Sequence, residues 1–316
     1  MTDPASYFDN TGRDDVLSGG VRMIPVETPK GTFKVWTKRI GNNPTTKVLL
    51  LHGGPGSTHE YLEACDSWLP GAGIEYYYYD QLGSTYSDQP DEPELWELER
   101  FVDEVEQVRR ALGLDRGNFV LYGQSWGGIL AMEYALAHQE NLKGLVISNM
   151  MMSIPAYNDY ARDVLMPQID PDVLAEVKAL EAAGDTDNPR YEELLIPSHY
   201  VHHVLRMPIE QWPDPVLRGF THINKSIYVP MQGPSELGAS GKLVEWDRTA
   251  DLHRVEVPTL VIGGAHDTMD PKHMEWVADE VQQGTYLHCA EGSHLAMYDD
   301  QETYFRGLID WLRRLG

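Results

Sequence analysis

Short apolar runs and longer amphipathic stretches alternate along most of the chain. VRMIPVE (21–27) and TFKVWTKRI (32–40) flank the turn TPKG and predict a leading antiparallel pair. KVLLL (47–51), IEYYYYD (74–80), NFVLYG (118–123), LKGLVISN (142–149), TLVIGG (259–264) and TYLHCA (285–290) are short, apolar or β-rich, so each predicts a buried strand. The four tyrosines at 76–79 then point to alternate sheet faces. ELWELERFVDEVEQVRRALG (94–113) places Leu95, Leu98, Val102, Val105, Val108 and Leu112 at helical spacing, and Gly113 stops the helix. GILAMEYALAH (128–138) is mostly apolar and predicts a buried helix, and YFRGLIDWLRRL (304–315) predicts a closing one.

Strands alternating with helices imply right-handed crossovers and a mostly parallel sheet covered on both faces, an α/β class. Residues 153–246 break that rhythm. The stretch is rich in Pro, His, Met and Trp, holds helical patterns such as DVLAEVKALEAAG, and lacks a convincing buried strand. It reads as a helical cap inserted into a core made of residues 1–152 and 247–316. No repeat, low-complexity tract or long flexible linker interrupts the chain.

Composition narrows the function. A length of 316 residues fits one large domain or a core with an inserted lobe. No apolar run approaches the ~18 residues of a membrane span. The start, MTDPASYFDNTGRDD, has neither a basic region nor an apolar core, so no secretory signal is expected. Cys65 and Cys289 are too few for a disulfide framework and lack metal spacing, which points to a reducing cytoplasm. A formal net charge of −24 repels phosphate backbones and anionic lipid, so neither nucleic acid nor a membrane is an expected partner. His199, His202 and His203 share a helical face but lack the Glu of a zinc helix, and read as packing. DQPDEPELWELE lacks calcium-loop spacing, and neither GGAHD nor SGG has phosphate-loop spacing. No cofactor or metal is expected. The sequence does not speak to oligomeric state.

YGQSWGG sets Ser125 in a G-x-S-x-G frame between a predicted strand and a predicted helix. The bare pattern arises by chance in glycine-rich chains; the strand–turn–helix setting makes it a nucleophile elbow. Gly123 and Gly127 must lack a Cβ for the turn to close. A serine hydroxyl needs a base. In such a fold the partners follow in the order Ser, acid, His, each after a later strand. Asp267 follows TLVIGG and His294 follows TYLHCA, as acid and base. Asp270 and, more weakly, Asp299 are alternative acids; His266 precedes the acid and fits worse. Attack on a carbonyl creates an oxyanion that needs N–H donors. One is expected from Trp126, after the nucleophile. The other is expected from HGGPG (52–56), after KVLLL, with Gly54 as donor and the glycines admitting substrate close to the backbone.

HGGPG, DQLGSTYS, GQSWGG, GPSE, WD, HD and GSH occur in one order across nearly the whole chain. Together they resemble the proline iminopeptidase family of α/β-hydrolases, which includes the tricorn-interacting aminopeptidase and amino-acid amide hydrolases. The resemblance implies a helical cap, no metal, and release of an N-terminal residue, often proline; the expected activity is that of a serine aminopeptidase freeing proline or another small apolar residue from short peptides or amides through an acyl-enzyme. It supports Ser125, Asp267 and His294 as triad and Gly54 and Trp126 as oxyanion donors. It also places Glu236, in GPSE, as a carboxylate for the substrate α-amine. Two positions depart from the family pattern. Thr268 stands where a second carboxylate often follows the triad Asp, and Leu82 where Arg is common. With one acid fewer, the pocket would be open to other amino acids, amides or esters.

Two rival readings follow: an amidase, esterase or lactonase without need of a free amine, and a non-catalytic binding protein on a hydrolase scaffold. Epoxide hydrolases and dehalogenases usually carry Asp at the elbow, where this chain has Ser125.

Overall fold

The computed structural model describes residues 4–316. The reading of the first residues as lacking a signal falls partly on residues 1–3, outside the described residues. Eight strands form one sheet: β1 (Val21–Thr28), β2 (Gly31–Ile40), β3 (Lys47–Leu51), β4 (Glu75–Asp80), β5 (Phe119–Gln124), β6 (Gly144–Ser148), β7 (Thr259–Gly264) and β8 (Gly284–Cys289). Their spatial order is β1-β2-β4-β3-β5-β6-β7-β8. β1 and β2 form an antiparallel hairpin, β2 runs antiparallel to β4, and the pairs from β4 to β8 are parallel. Strands β3 to β7 are apolar on both faces because both faces are covered.

The longer helices are α1 (Leu98–Leu112), α2 (Trp126–His138), α3 (Ile154–Tyr160), α4 (Pro171–Ala183), α5 (Pro189–Leu195), α6 (Asp214–Thr221), α7 (Lys225–Met231), α8 (Pro271–Glu280) and α9 (Gln301–Arg314). Helices α1, α2 and α8 cover one sheet face and α9 the other. The tyrosines of β4 divide as a strand requires: Tyr77 and Tyr79 join the first cluster, Tyr76 and Tyr78 the second. Gly113 ends α1 in the left-handed conformation at φ 64°, its N–H bonding the Arg109 and Arg110 carbonyls. Helix α8, which the apolar pattern does not announce, starts at a Pro behind the capping side chain of Asp270.

Helices α3 to α7 lie in the chain between β6 and β7. This segment leaves and rejoins the core at one place. Ser153 and Asp247 form an isolated antiparallel bridge, Ile154 N–H bonds Trp246 O (2.8 Å), and Arg248 N–H bonds Met152 O (2.9 Å). Part of the segment packs on its own cluster, built around Ala161, Leu165, Val177, Tyr191, Leu195 and Leu237.

Ion pairs join α6 to the turn after β3. The Arg218 guanidinium reaches Glu60 (2.7 Å), Glu63 (2.5 Å) and Asp214 (2.8 Å), and His222 Nδ1 lies 2.7 Å from Glu60. The Glu60 side chain is only 2% exposed, so its charge depends on these partners. Removing the cation leaves a buried carboxylate under-compensated. Arg218→Ala is therefore expected to lower the unfolding free energy by about 1–3 kcal/mol, since Arg218 is itself partly exposed. Urea denaturation checks this; an unchanged midpoint would show that the fork carries no net stability.

Candidate active site

Strand β5 ends at Gln124 and α2 begins at Trp126, leaving Ser125 alone in the turn with φ 55° and ψ −127°. That conformation costs a serine on the order of 1–3 kcal/mol and needs surroundings that enforce it. Ser125 N–H bonds Ser148 O on β6 (3.0 Å), and Ser125 O accepts the Gly128 N–H (2.6 Å). The flanking glycines have no room for a side chain. A Cβ on Gly123 would sit 1.9 Å from Gly127 O, and one on Gly127 would sit 2.3 Å from Leu51 O. Ser125 is thereby lifted to the C-terminal edge of the sheet, at the N-terminus of α2.

Asp267 lies in the loop after β7 and His294 in the loop after β8. His294 Nδ1 is 2.8 Å from Asp267 Oδ1. Asp267 is fully buried, and its other oxygen accepts the Asn149 side-chain amide (2.7 Å). Oδ1 also accepts the Met269 N–H (3.1 Å) and the Thr268 hydroxyl (3.3 Å). Burial by itself drives the His294 imidazole down. Burial is the largest single influence, but the Asp267 charge and hydrogen bond, joined by the charges of Glu236 and Asp299, together outweigh it, and the net result stands above the ordinary value of 6.5. The alternative acids are committed elsewhere: Asp270 caps α8, and Asp299 accepts the N–H groups of Ser293 and Arg206. The His266 carbonyl partners the His203 ring.

The loop after β3 lies against the elbow. A Cβ on Gly53 would meet Gln124 Oε1 at 2.7 Å and Ser125 Cβ at 2.8 Å. A Cβ on Gly56, at φ +84°, would meet Asn224 O at 2.9 Å, just before α7. These two glycines therefore make room for the elbow and for α7. Gly53 and Gly54 also border the cavity that Ser125 and His294 line. Gly54 is nearest to Tyr228, whose ring a Cβ there would meet at 3.2 Å. Among the described residues, neither the Gly54 nor the Trp126 backbone N–H is taken by a protein acceptor.

Glu236 follows α7. Its Oε1 accepts the Tyr228 hydroxyl (2.5 Å). Its backbone is held as well: the carbonyl accepts Tyr157 OH (2.9 Å) and His199 Nε2 (3.1 Å), and the N–H donates to Tyr200 OH (3.3 Å). Burial pushes His199 down to about 4, so it is neutral at physiological pH and serves as a fixed donor. Ser125, His294, Gly54, Tyr61, Gln124 and Glu236 are among the residues around one cavity of about 50 Å³. A second cavity of about 380 Å³, within the helical segment, shares Phe220, Ile223, Tyr228 and Glu236 with it. Thr268 does not line either cavity; its hydroxyl sits 3.2 Å from His294 Nδ1. Leu82 is packed in the core, its N–H bonding Glu104 (2.9 Å).

Sequence reasoning missed several residues here. Asn149, at φ 52°, directly follows β6 and joins Asp267 to Ser293 O. An Asn closing a strand is a signal for that backbone conformation. Gln124, inside the serine motif, donates to His294 O (3.0 Å) and accepts the Tyr61 hydroxyl (2.7 Å). Nothing local in the sequence announces Tyr61 or Tyr228.

Residues 46–301 match the family model described as the alpha/beta hydrolase fold. The chain is 54% identical over 290 residues to a proline iminopeptidase of Flavobacterium johnsoniae, covering 92% of this chain and 97% of that one. It is 55% identical over 293 residues to a proline iminopeptidase of Elizabethkingia meningoseptica, covering 92% and 97%. The crystal structure of a proline iminopeptidase of Mycobacterium smegmatis superposes with a TM-score of 0.81 at 27% identity, covering 93% of this chain and 98% of that one.

With Ser125 as the expected nucleophile and His294 as its expected base, labelling by a fluorophosphonate requires the imidazole neutral. Its rate should therefore rise with pH through a midpoint above 6.5, the ordinary histidine value. Because the Glu236 charge helps raise His294, Glu236→Gln should move that midpoint to lower pH. A midpoint unmoved by Glu236→Gln would contradict the coupling.

Proposed function

Because the chain belongs to the proline iminopeptidase family of α/β-hydrolases, we propose that it releases an N-terminal proline from short peptides through an acyl-enzyme on Ser125. The observation that carries this reading is one small cavity bordered by Ser125, His294 and Glu236. His294, oriented by Asp267, takes the Ser125 proton as the hydroxyl attacks the scissile carbonyl. The N–H groups of Gly54 and Trp126 receive the oxyanion. His294 then protonates the leaving amine, and in the second half-reaction it activates the water that frees proline.

Glu236 receives the substrate ammonium. A cation entering an enclosed pocket needs a paired carboxylate, and this one is pre-set by Tyr228 and by three contacts to its backbone. The cavity of about 50 Å³ suits one compact residue at the amino end. Residues 153–246 act as a cap that restricts entry to short chains or amides. No helix among the described residues is long and apolar enough to cross a membrane. A cytoplasmic setting suits the two buried, unpaired thiols.

Three variants and two substrates test the reading. Ser125→Ala should lose at least about 10⁴-fold in kcat on prolyl p-nitroanilide. Glu236→Gln should raise KM by roughly 10- to 100-fold, in line with the loss of a charge-assisted contact. Asn149→Leu, which strips a partner from Asp267, should lower kcat by about tenfold or more. N-acetylprolyl p-nitroanilide should be a poor substrate of the parent protein. Equal turnover of the acetylated and free substrates would remove the role given to Glu236.

A further inference from the structure

His52 and Gln81 are both fully buried, and neither borders the catalytic cavity. His52 follows β3 and Gln81 follows β4, on neighbouring strands. The His52 ring makes two contacts: Nδ1 lies 2.9 Å from Gly53 O, and Nε2 lies 3.2 Å from the Gln81 backbone N–H. The second contact fixes the tautomer. An N–H can only donate, so Nε2 is the acceptor and the proton sits on Nδ1, from where it donates to Gly53 O. Both roles require a neutral ring, and burial pushes His52 down to about 4.

Gly53 O belongs to the peptide unit that also carries the Gly54 N–H. In a planar trans peptide the C=O and the following N–H point in opposite directions. Fixing one therefore fixes the other. The unit before it is held too, because Gly53 N–H bonds the Tyr61 hydroxyl, which bonds Gln124 Oε1 beside Ser125. The Gln81 carboxamide completes the link to the second donor: its Nε2 donates to His52 O (3.2 Å), and its Oε1 accepts the Trp126 indole N–H (2.9 Å). One buried side chain thus touches both loops from which oxyanion donors come.

We propose that His52 and Gln81 are positioning residues of the acyl-transfer step, setting the direction of the Gly54 N–H and holding Trp126 in register with it. The proposal rests on the oxyanion roles given above to Gly54 and Trp126. Such residues act only where negative charge develops, so they should affect the transition state far more than bound substrate or product.

The test compares His52→Leu, His52→Asn, Gln81→Leu and Tyr61→Phe with the parent on prolyl p-nitroanilide. His52→Leu and Gln81→Leu should lower kcat by roughly 10- to 100-fold while KM stays within about threefold. Inhibition by a prolyl boronic acid, whose tetrahedral adduct fills the oxyanion site, should weaken in parallel. Competitive inhibition by free proline should not change. His52→Asn keeps a donor at the Nδ position and loses only the Nε2 acceptor, so it should recover most of kcat. Tyr61→Phe, which keeps the ring and removes one hydroxyl, should show a milder form of the same pattern and serves where the Leu variants do not fold.

Unchanged kcat in folded His52→Leu, or equal losses in boronate and proline binding, would overturn the proposal. So would Tyr61→Phe with parent kcat if the Leu variants fail to fold. A parent protein that reacts with fluorophosphonate but ignores prolyl substrates would instead sink the substrate reading. The same series is then measured on p-nitrophenyl acetate, where the kcat pattern should persist.

Discussion

Everything at this site depends on backbone packed directly against backbone. Carbonyl oxygens stand where a Cβ would be: Gly127 O beside Gly123 across the elbow, and Leu51 O, at the end of β3, beside Gly127. That contact forces Ser125 into a conformation serine otherwise avoids, and two hydrogen bonds to its own peptide groups hold it there. The strain is local, but its support comes from the whole parallel sheet, because β3, β5 and β6 must keep register for the turns to meet.

The fold was largely legible because its signals are local. Short apolar strands between turn residues are hard to mistake: TLVIGG coincides with β7 to the residue, whereas TYLHCA and LKGLVISN differ from β8 and β6 by one or two residues at their ends. Helix α8 escaped notice because it buries only Met274, Val277 and Ala278 across ten residues, too sparse a stripe to read beside the charged ones. The candidate site divides in the same way. Ser125, Asp267 and His294 could be picked out by a strand, a turn and chain order. Asn149, Gln124 and Tyr228 could not: Asn149 meets Asp267 118 positions later and Gln124 meets His294 170 positions later, while Tyr228 acts through a loop whose path no pattern predicts. The glycines of HGGPG were read correctly as a close-approach signal, but the sequence could not say what approaches. Gly56 lies against the segment before α7, and Gly53 lies against the elbow while also bordering the cavity.

Charge is handled differently at the surface and in the interior. The net charge of −24 is dispersed over the outside, whereas the acids near the site each have assigned partners. Glu60 is answered by Arg218 and His222, Asp267 by His294 and Asn149, Asp299 by Ser293 and Arg206. Among the described residues, the Glu236 carboxylate has only the Tyr228 hydroxyl on it. It is the acid at the cavity left with capacity for an incoming cation, and Thr268 supplies no second one.

The bridge between Ser153 and Asp247 has an effect on how such a protein can change over time. The chain leaves the core and returns within hydrogen-bonding distance of the same point, so the core experiences those ninety-odd residues as a tight connection. Loop-closure entropy grows only slowly with length, and a closed neck fixes its endpoints whatever lies between. A change of length away from the residues that pack on the core, such as Ile154, Tyr157, Ile227 and Met231, therefore leaves β6 and β7 in place. The cluster around Leu165, Val177 and Tyr191 can be revised on these terms, whereas the His203 and Val204 carbonyls, which accept the His294 and Leu295 N–H groups (both 2.9 Å), tie the same segment to the loop after β8.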